Sequence, residues 1–176
     1  MTVTVVDVAG KRAQFDDVAK HNLLELGHVK GKQPNVTEAA HAIILTGSTL
    51  CNDAILEQQT EDIVVTGDPT EGALVLAAAR YGQYKPYLDE ILPRIGEVPF
   101  DSERKRMTTF HRCSPNGSAK SDERIIADLL GFNGQNYVMF TKGAVDSLLD
   151  VCSDVWIDGE PVPMSDDLRR RIEQAN

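Results

Sequence analysis

Between Gly67 and Gly82 the sequence marks both ends of a helix, and this fixes how the surrounding chain must pack. Asp68 stands at the cap and Pro69 at the first helical position. Glu71 follows three residues after the cap, the spacing of a capping box. Leu74, Leu76, Ala77, Ala78 and Tyr81 supply a largely apolar stripe, and Gly82 suits the C-terminal stop. A stripe this apolar must be covered by other elements. The second half of the chain offers strands for that purpose, at residues 107–112, 124–130 and 135–140. Helix and strands together predict an α+β domain with an antiparallel sheet flanked by helices.

Other segments fit this plan. Residues 1–8 alternate and are β-branched, which predicts a strand, and 15–28 carry a helical pattern. Residues 31–35 read as a loop. Thr37 is placed to cap an apolar helix running toward Leu50. Residues 113–122 are polar and rich in turn formers, and 131–134 join two of the predicted strands. A helix is expected over 144–151. A hairpin is expected about Asp158-Gly159, and a last helix starts at Ser165. The 176 residues suffice for a real core and are read as a single domain, 1–176.

Composition narrows the function classes. The net charge of −9 argues against nonspecific binding to nucleic acid, whose affinity comes from a basic surface. It also requires local positive charge at any polyphosphate site. No apolar run is long enough to span a bilayer, so no direct membrane contact is expected. The N-terminal residues do not form a signal peptide. Cys51, Cys113 and Cys152 are odd in number and widely spaced, and are read as reduced thiols. Neither they nor the four histidines have metal-ligand spacing, so no metal ligand is assigned. The sequons at Asn35 and Asn116 are discounted for want of any sign of secretion.

Three stretches carry candidate chemistry. In Gly67-Asp68-Pro69-Thr70-Glu71-Gly72-Ala73 the glycines have P-loop spacing, but Ala73 and Leu74 stand where Lys and Ser or Thr are needed. The Walker reading is therefore rejected. Glu71 is either a capping-box partner or an acceptor for an adenine amino group, and both roles are open to it. In the stretch from Pro99 to Met107, Phe100 beside Pro99 suits base stacking, and a peripheral apolar contact nearly as well. Arg104, Lys105 and Arg106 form a cation cluster that suits either phosphate or solvent. In Thr141-Lys142-Gly143-Ala144, Gly143 permits close approach of a ligand or another backbone, Ala144 keeps the wall small, and Lys142 is placed to enter a pocket. The alternative there is an ordinary turn with an exposed Lys.

In this order, the three stretches resemble the nucleotide-binding domain of P-type cation-transporting ATPases, most closely the calcium-pump branch. The resemblance covers most of the chain and includes Leu50-Cys51-Asn52-Asp53. It implies that Glu71 contacts adenine, Phe100 stacks on the base, Lys105 reaches toward the triphosphate and Lys142 lies at the pocket floor. Met107, Gly143 and Ala144 would line the walls, with Thr70 and Ser102 nearby. It further implies ATP, with Mg²⁺ as Mg-ATP in the intact pump. The phosphorylation and actuator domains of the same parent chain would be its partners, and its location a cytoplasmic domain of an integral membrane protein.

The sequence departs from the family in two places. Val145-Asp146 stands where calcium pumps commonly have Pro-Glu, and no D-P-P-R stretch occurs. The D-K-T-G-T motif bearing the phosphorylated Asp is also absent, so no residue is assigned a catalytic role. The expectation is an excised module that holds ATP for phosphoryl transfer to an Asp outside the chain. The alternatives are the same domain from a sodium, magnesium or proton pump, or a noncatalytic interaction domain without nucleotide.

Overall fold

A computed structural model describes residues 1–8, 10–18, 36–59, 62–113 and 135–175. In chain order the elements are β1 (Val5–Val8), β2 (Lys11–Gln14), α1 (Phe15–Val18), α2 (Val36–Leu50), β3 (Ile55–Gln59), β4 (Asp62–Thr66), α3 (Pro69–Arg80) and α4 (Lys85–Ile91). Then follow β5 (Arg94–Asp101), β6 (Arg106–Arg112), β7 (Tyr137–Gly143), α5 (Val145–Leu149), β8 (Asp154–Ile157), β9 (Glu160–Pro163) and α6 (Asp166–Ala175). All pairing among the described residues is antiparallel. It forms the hairpins β1-β2, β3-β4 and β8-β9 and the three-stranded sheet β5-β6-β7. The α+β class is as the sequence predicts, but among the described residues the strands form four separate sheets and not one.

Helix α3 begins as read. Asp68 is its N-cap and accepts from the backbone N–H of Thr70 at 2.8 Å and Glu71 at 3.2 Å. These bonds, Glu71 first, hold the Asp68 carboxyl below its ordinary 3.8. The helix ends in a Schellman motif: Gly82 at φ +86° bonds to the Ala79 carbonyl, and Gln83 N–H bonds to Ala78. The stripe is broader than predicted. Val75, with Ala73, Ala77, Ala78, Ala79 and Tyr81, is buried, while Leu74 and Leu76 are only half-buried. The reason is that α3 packs on both α2 and the β3-β4 hairpin. A Cβ on Gly72 would lie 2.6 Å from a Val65 methyl.

Other boundaries moved. The first strand starts at Val5. Thr37 lies inside α2 instead of capping it, since the helix begins at Val36. The described part of the 15–28 helix is α1. The predicted loops at 31–35 and 131–134, the strand at 124–130 and most of the 113–122 loop lie outside the described residues, as do both sequons. The 158–159 hairpin forms as expected. Asp158 at φ +50° and Gly159 at φ +94° give the left-handed pair that joins two right-twisted strands. Ser165 starts the last helix, its hydroxyl accepting from Leu168 N–H.

The core lies where α2, α3 and α4 meet the inner face of β6-β7. Leu45, Leu50, Ala78, Tyr81, Leu88 and Ile91 are buried there, and Val138 and Phe140 of β7 pack against them. His111 on β6 is fully buried and meets Phe140 edge-on, ring centroids 5.7 Å apart. Its Nδ1–H donates to the Leu92 carbonyl at 2.8 Å, because a carbonyl only accepts. In the neutral ring Nε2 then accepts from the Thr109 hydroxyl at 2.9 Å. Loss of hydration pushes the His111 pKa below 6.5, with the Leu92 bond opposing and Arg94, Asp89 and Lys85 as the nearby charges.

Below pH 6.5 the unfolded chain gains a proton at this position that the folded chain resists. Stability should fall as pH drops from about 7, by up to about 1.4 kcal/mol per pH unit until the folded pKa is reached. Urea melts between pH 7.5 and 5.5 test this, and His111→Gln should flatten part of the slope. A slope untouched by the substitution would assign the effect to other groups.

Candidate functional site

The inner face of the β5-β6-β7 sheet and the N-terminus of α3 hold Met107, Lys142, Thr70 and Glu71 of the predicted residues. Glu71 stands in the first turn of α3, where the Asp68 cap fixes the backbone. Its side chain does not close the capping box. One carboxylate oxygen, Oε2, accepts from Asp53 N–H at 3.0 Å, and the other, Oε1, meets Lys142 Nζ in a short ion pair. Both side chains are largely shielded, Lys142 at 24% and Glu71 at 19% exposure, so this pair is screened less than a surface one. Thr70, beside Glu71, is exposed.

Lys142 leaves the end of β7 on the helix-facing side of the sheet. Met107 lies opposite it in register, and Arg106 lies opposite Gly143. Met107 is buried at 2% exposure, and its carbonyl accepts from the Cys51 thiol at 3.5 Å. Gly143 is required by crowding. A Cβ there would fall 2.4 Å from the Lys105 carbonyl oxygen and 2.9 Å from Arg106 Cα, both backbone atoms. Ala144 N–H donates to the same Lys105 carbonyl at 3.1 Å, tying the start of α5 to the turn before β6. Of the two approaches the sequence left open at Gly143, the fold uses that of another backbone.

Phe100 lies where the register of β5 shifts against β6, between the Val98–Thr108 and Asp101–Arg106 pairs. Its ring is 64% exposed. Past it the chain turns tightly. Asp101 Oδ1 accepts from Glu103 N–H at 3.0 Å and Arg104 N–H at 2.8 Å, Ser102 is exposed, and Lys105 takes φ +51°. Each cation of the cluster has a protein partner. Arg104 donates to the Pro99 carbonyl at 2.8 Å. Arg106 donates to the Ser147 carbonyl at 3.2 Å and hydroxyl at 3.0 Å. Lys105 Nζ lies 2.9 Å from Asp146 Oδ2. That bond pulls the Lys105 pKa up and the Asp146 pKa down. The pair is more than half exposed on both sides, so it holds Lys105 only weakly.

The structure therefore joins the three stretches. The Glu71–Lys142 pair links the first to the third, and the β6-β7 register links the second to the third. Lys142 and Gly143 also border a cavity of about 650 Å3 walled by Ile43, Ile44, Phe140, Leu148 and Trp156; of the predicted residues only these two line it. No group of three or more His, Cys, Asp or Glu residues that could hold a metal occurs among the described residues.

Behind Glu71 lies a support that spacing gave no reason to expect. Asn52 is fully buried. Its amide donates to the Ser48 carbonyl at 3.1 Å and the Glu71 carbonyl at 3.0 Å, and its Oδ1 accepts from Ala54 N–H at 2.8 Å. Lys85 Nζ donates to the carbonyls of Asn52 at 2.6 Å and Thr49 at 3.2 Å, and burial pushes its pKa down. Arg94 meets Asp53 at 2.7 Å. Asn52 and Asp53 fall in the Leu50–Asp53 stretch already noted for its resemblance, but the sequence assigned them no role.

The amino-acid sequence matches the family model of the P-type ATPase, cytoplasmic domain N, over residues 41–176. The chain belongs to this family. It is similar over 99% of its length, at 29% identity, to calcium-transporting ATPase 1 of Bacillus cereus. The calcium-transporting ATPase of Bacillus subtilis is 32% identical over 98% of the chain. The cation-transporting ATPase pma1 of Synechocystis is 31% identical over 90%. The chain spans 17% of the length of the two Bacillus relatives and 16% of the Synechocystis one. No helix among the described residues of this N domain is long and apolar enough to cross a membrane.

Proposed function

We propose that this N domain binds ATP where the three stretches meet. Glu71 accepts from the adenine amino group, Phe100 stacks on the base, and Lys142 lies at the pocket floor. Met107, Gly143 and Ala144 form the walls, with Thr70 and Ser102 at the rim. Lys105 turns toward the triphosphate by exchanging its exposed Asp146 partner, at small cost for a surface pair. The observation that carries this reading is the ion pair between Glu71 and Lys142, 71 positions apart, with Met107 of the Phe100 stretch registered opposite Lys142. The cations also answer the requirement set by a chain of net charge −9, which would otherwise repel a polyphosphate.

In the full-length pump the domain presents the γ-phosphoryl to an Asp outside this chain. That Asp, on the phosphorylation domain, is the acceptor, and the actuator domain is a further partner. Mg²⁺ enters as the counter-ion of the triphosphate, and no residue described here is assigned to it. Calcium is the proposed cargo, on the strength of relatives named for calcium transport.

Titration with ATP and GTP tests the reading. Saturable binding with ATP preferred is expected, because guanine presents a carbonyl where adenine presents an amino group. Glu71→Gln should narrow the gap, since a hydrogen bond to a charged group contributes about 1.5–3 kcal/mol. Equal affinity of the unsubstituted domain for both nucleotides would refute the assignment of Glu71.

A further inference from the structure

We infer that Asn52 is a positioning residue for base discrimination, acting through Glu71 on the nucleotide; this rests on the ATP reading given above. Glu71 belongs to α3, yet its carboxylate is oriented from outside that helix. Oε2 is held by the N–H of Asp53, in the turn that follows α2. A carboxylate recognises an amino group only when its free lone pairs face the edge of the base. The position of the Asp53 N–H therefore sets where a base can bind.

Asn52 locks that position by three bonds from one buried side chain. Its amide bridges two elements, donating to the last turn of α2 through Ser48 and to α3 through the Glu71 carbonyl. Its Oδ1 accepts from Ala54 N–H and closes the turn that carries Asp53. The same side chain thus fixes the backbone of Glu71 and the donor that aims the Glu71 carboxylate. Ala and Asp both lack the donor pair. Lys85 secures the turn from the other side through the Asn52 and Thr49 carbonyls. Fixing a recognition group through a buried polar partner gives geometry that side-chain rotamers alone do not hold.

Inosine triphosphate is the discriminating probe, because it replaces the amino group of adenine by a carbonyl and keeps the ribose and phosphates. The unsubstituted domain is expected to prefer ATP. Asn52→Ala should reduce the ATP-to-ITP affinity ratio by about fivefold, the equivalent of one typical hydrogen bond, chiefly by weakening ATP. A merely structural role would lower the melting temperature and weaken both nucleotides alike. In a Glu71→Gln background Asn52→Ala should leave the ratio unchanged, since the group it positions is altered. If Asn52→Ala yields too little folded chain, Lys85→Met carries the test, with a ratio reduced about twofold. An unchanged ratio in a folded variant, beside an unsubstituted domain that discriminates, overturns the role of Asn52 and leaves the ATP reading standing. Absence of saturable ATP binding by the unsubstituted domain overturns both.

Discussion

Phe100→Ala is expected to weaken ATP binding by about 1–3 kcal/mol, roughly five- to 150-fold, with almost no change in melting temperature. The sequence left two roles open for this ring. A buried aromatic removed from a core costs about 3–5 kcal/mol of stability. The structure separates the roles, because the ring is 64% exposed at a register shift of β5 and its truncation opens no cavity. Its backbone is held independently by the β5-β6 ladder and by the Asp101 turn. Phe100→Trp should retain most of the affinity, since stacking needs a π face and no particular hydrogen bond. Thermal melts and ATP titrations on the same samples check the prediction. A marked loss of stability with affinity intact would remove Phe100 from the site.

Gly143→Ala should have a different signature, a loss of stability of about 1–3 kcal/mol accompanied by weaker ATP binding. The added methyl would meet the Lys105 carbonyl and the Arg106 backbone, which cannot swing aside as the end of a flexible side chain could. Relief requires the end of β7 to move off β6. That movement would strain the Ala144–Lys105 bond and shift Lys142 away from Glu71. Chemical denaturation measures the first effect and titration the second. A variant as stable as the unsubstituted domain would mean that β7 relaxes freely and that Lys142 is not fixed by its neighbour.

Glu71 gives the clearest measure of what was legible. Its place in the first turn of α3 is local, set by Asp68 and Pro69, and the sequence states it directly. Its side-chain partner is not local. The capping-box spacing is present, yet the carboxylate goes to Asp53 and Lys142, because a half-buried carboxylate is better satisfied by an ammonium and a fixed N–H than by its own helix end. Lys105 shows the same division. Its cluster was visible, but not that each cation would take a partner, from the Pro99 carbonyl or from Asp146 and Ser147 of α5. Asn52 was invisible as a functional residue, since a buried amide between two helices leaves no period and no spacing.

By itself the sequence determined the α+β class, the capped helix after Gly67, the hairpin at Asp158-Gly159 and the three stretches that resemble a P-type ATPase nucleotide domain. Each depends on groups within a few positions of one another: caps, turn residues and strand alternation. Tertiary structure alone decided that Glu71 meets Lys142, that Phe100 is exposed, that Gly143 is compelled by a neighbouring backbone, and that Asn52 holds the turn behind the site. Those outcomes depend on which strand lies in which register against which helix, and packing sets that among residues far apart in the chain.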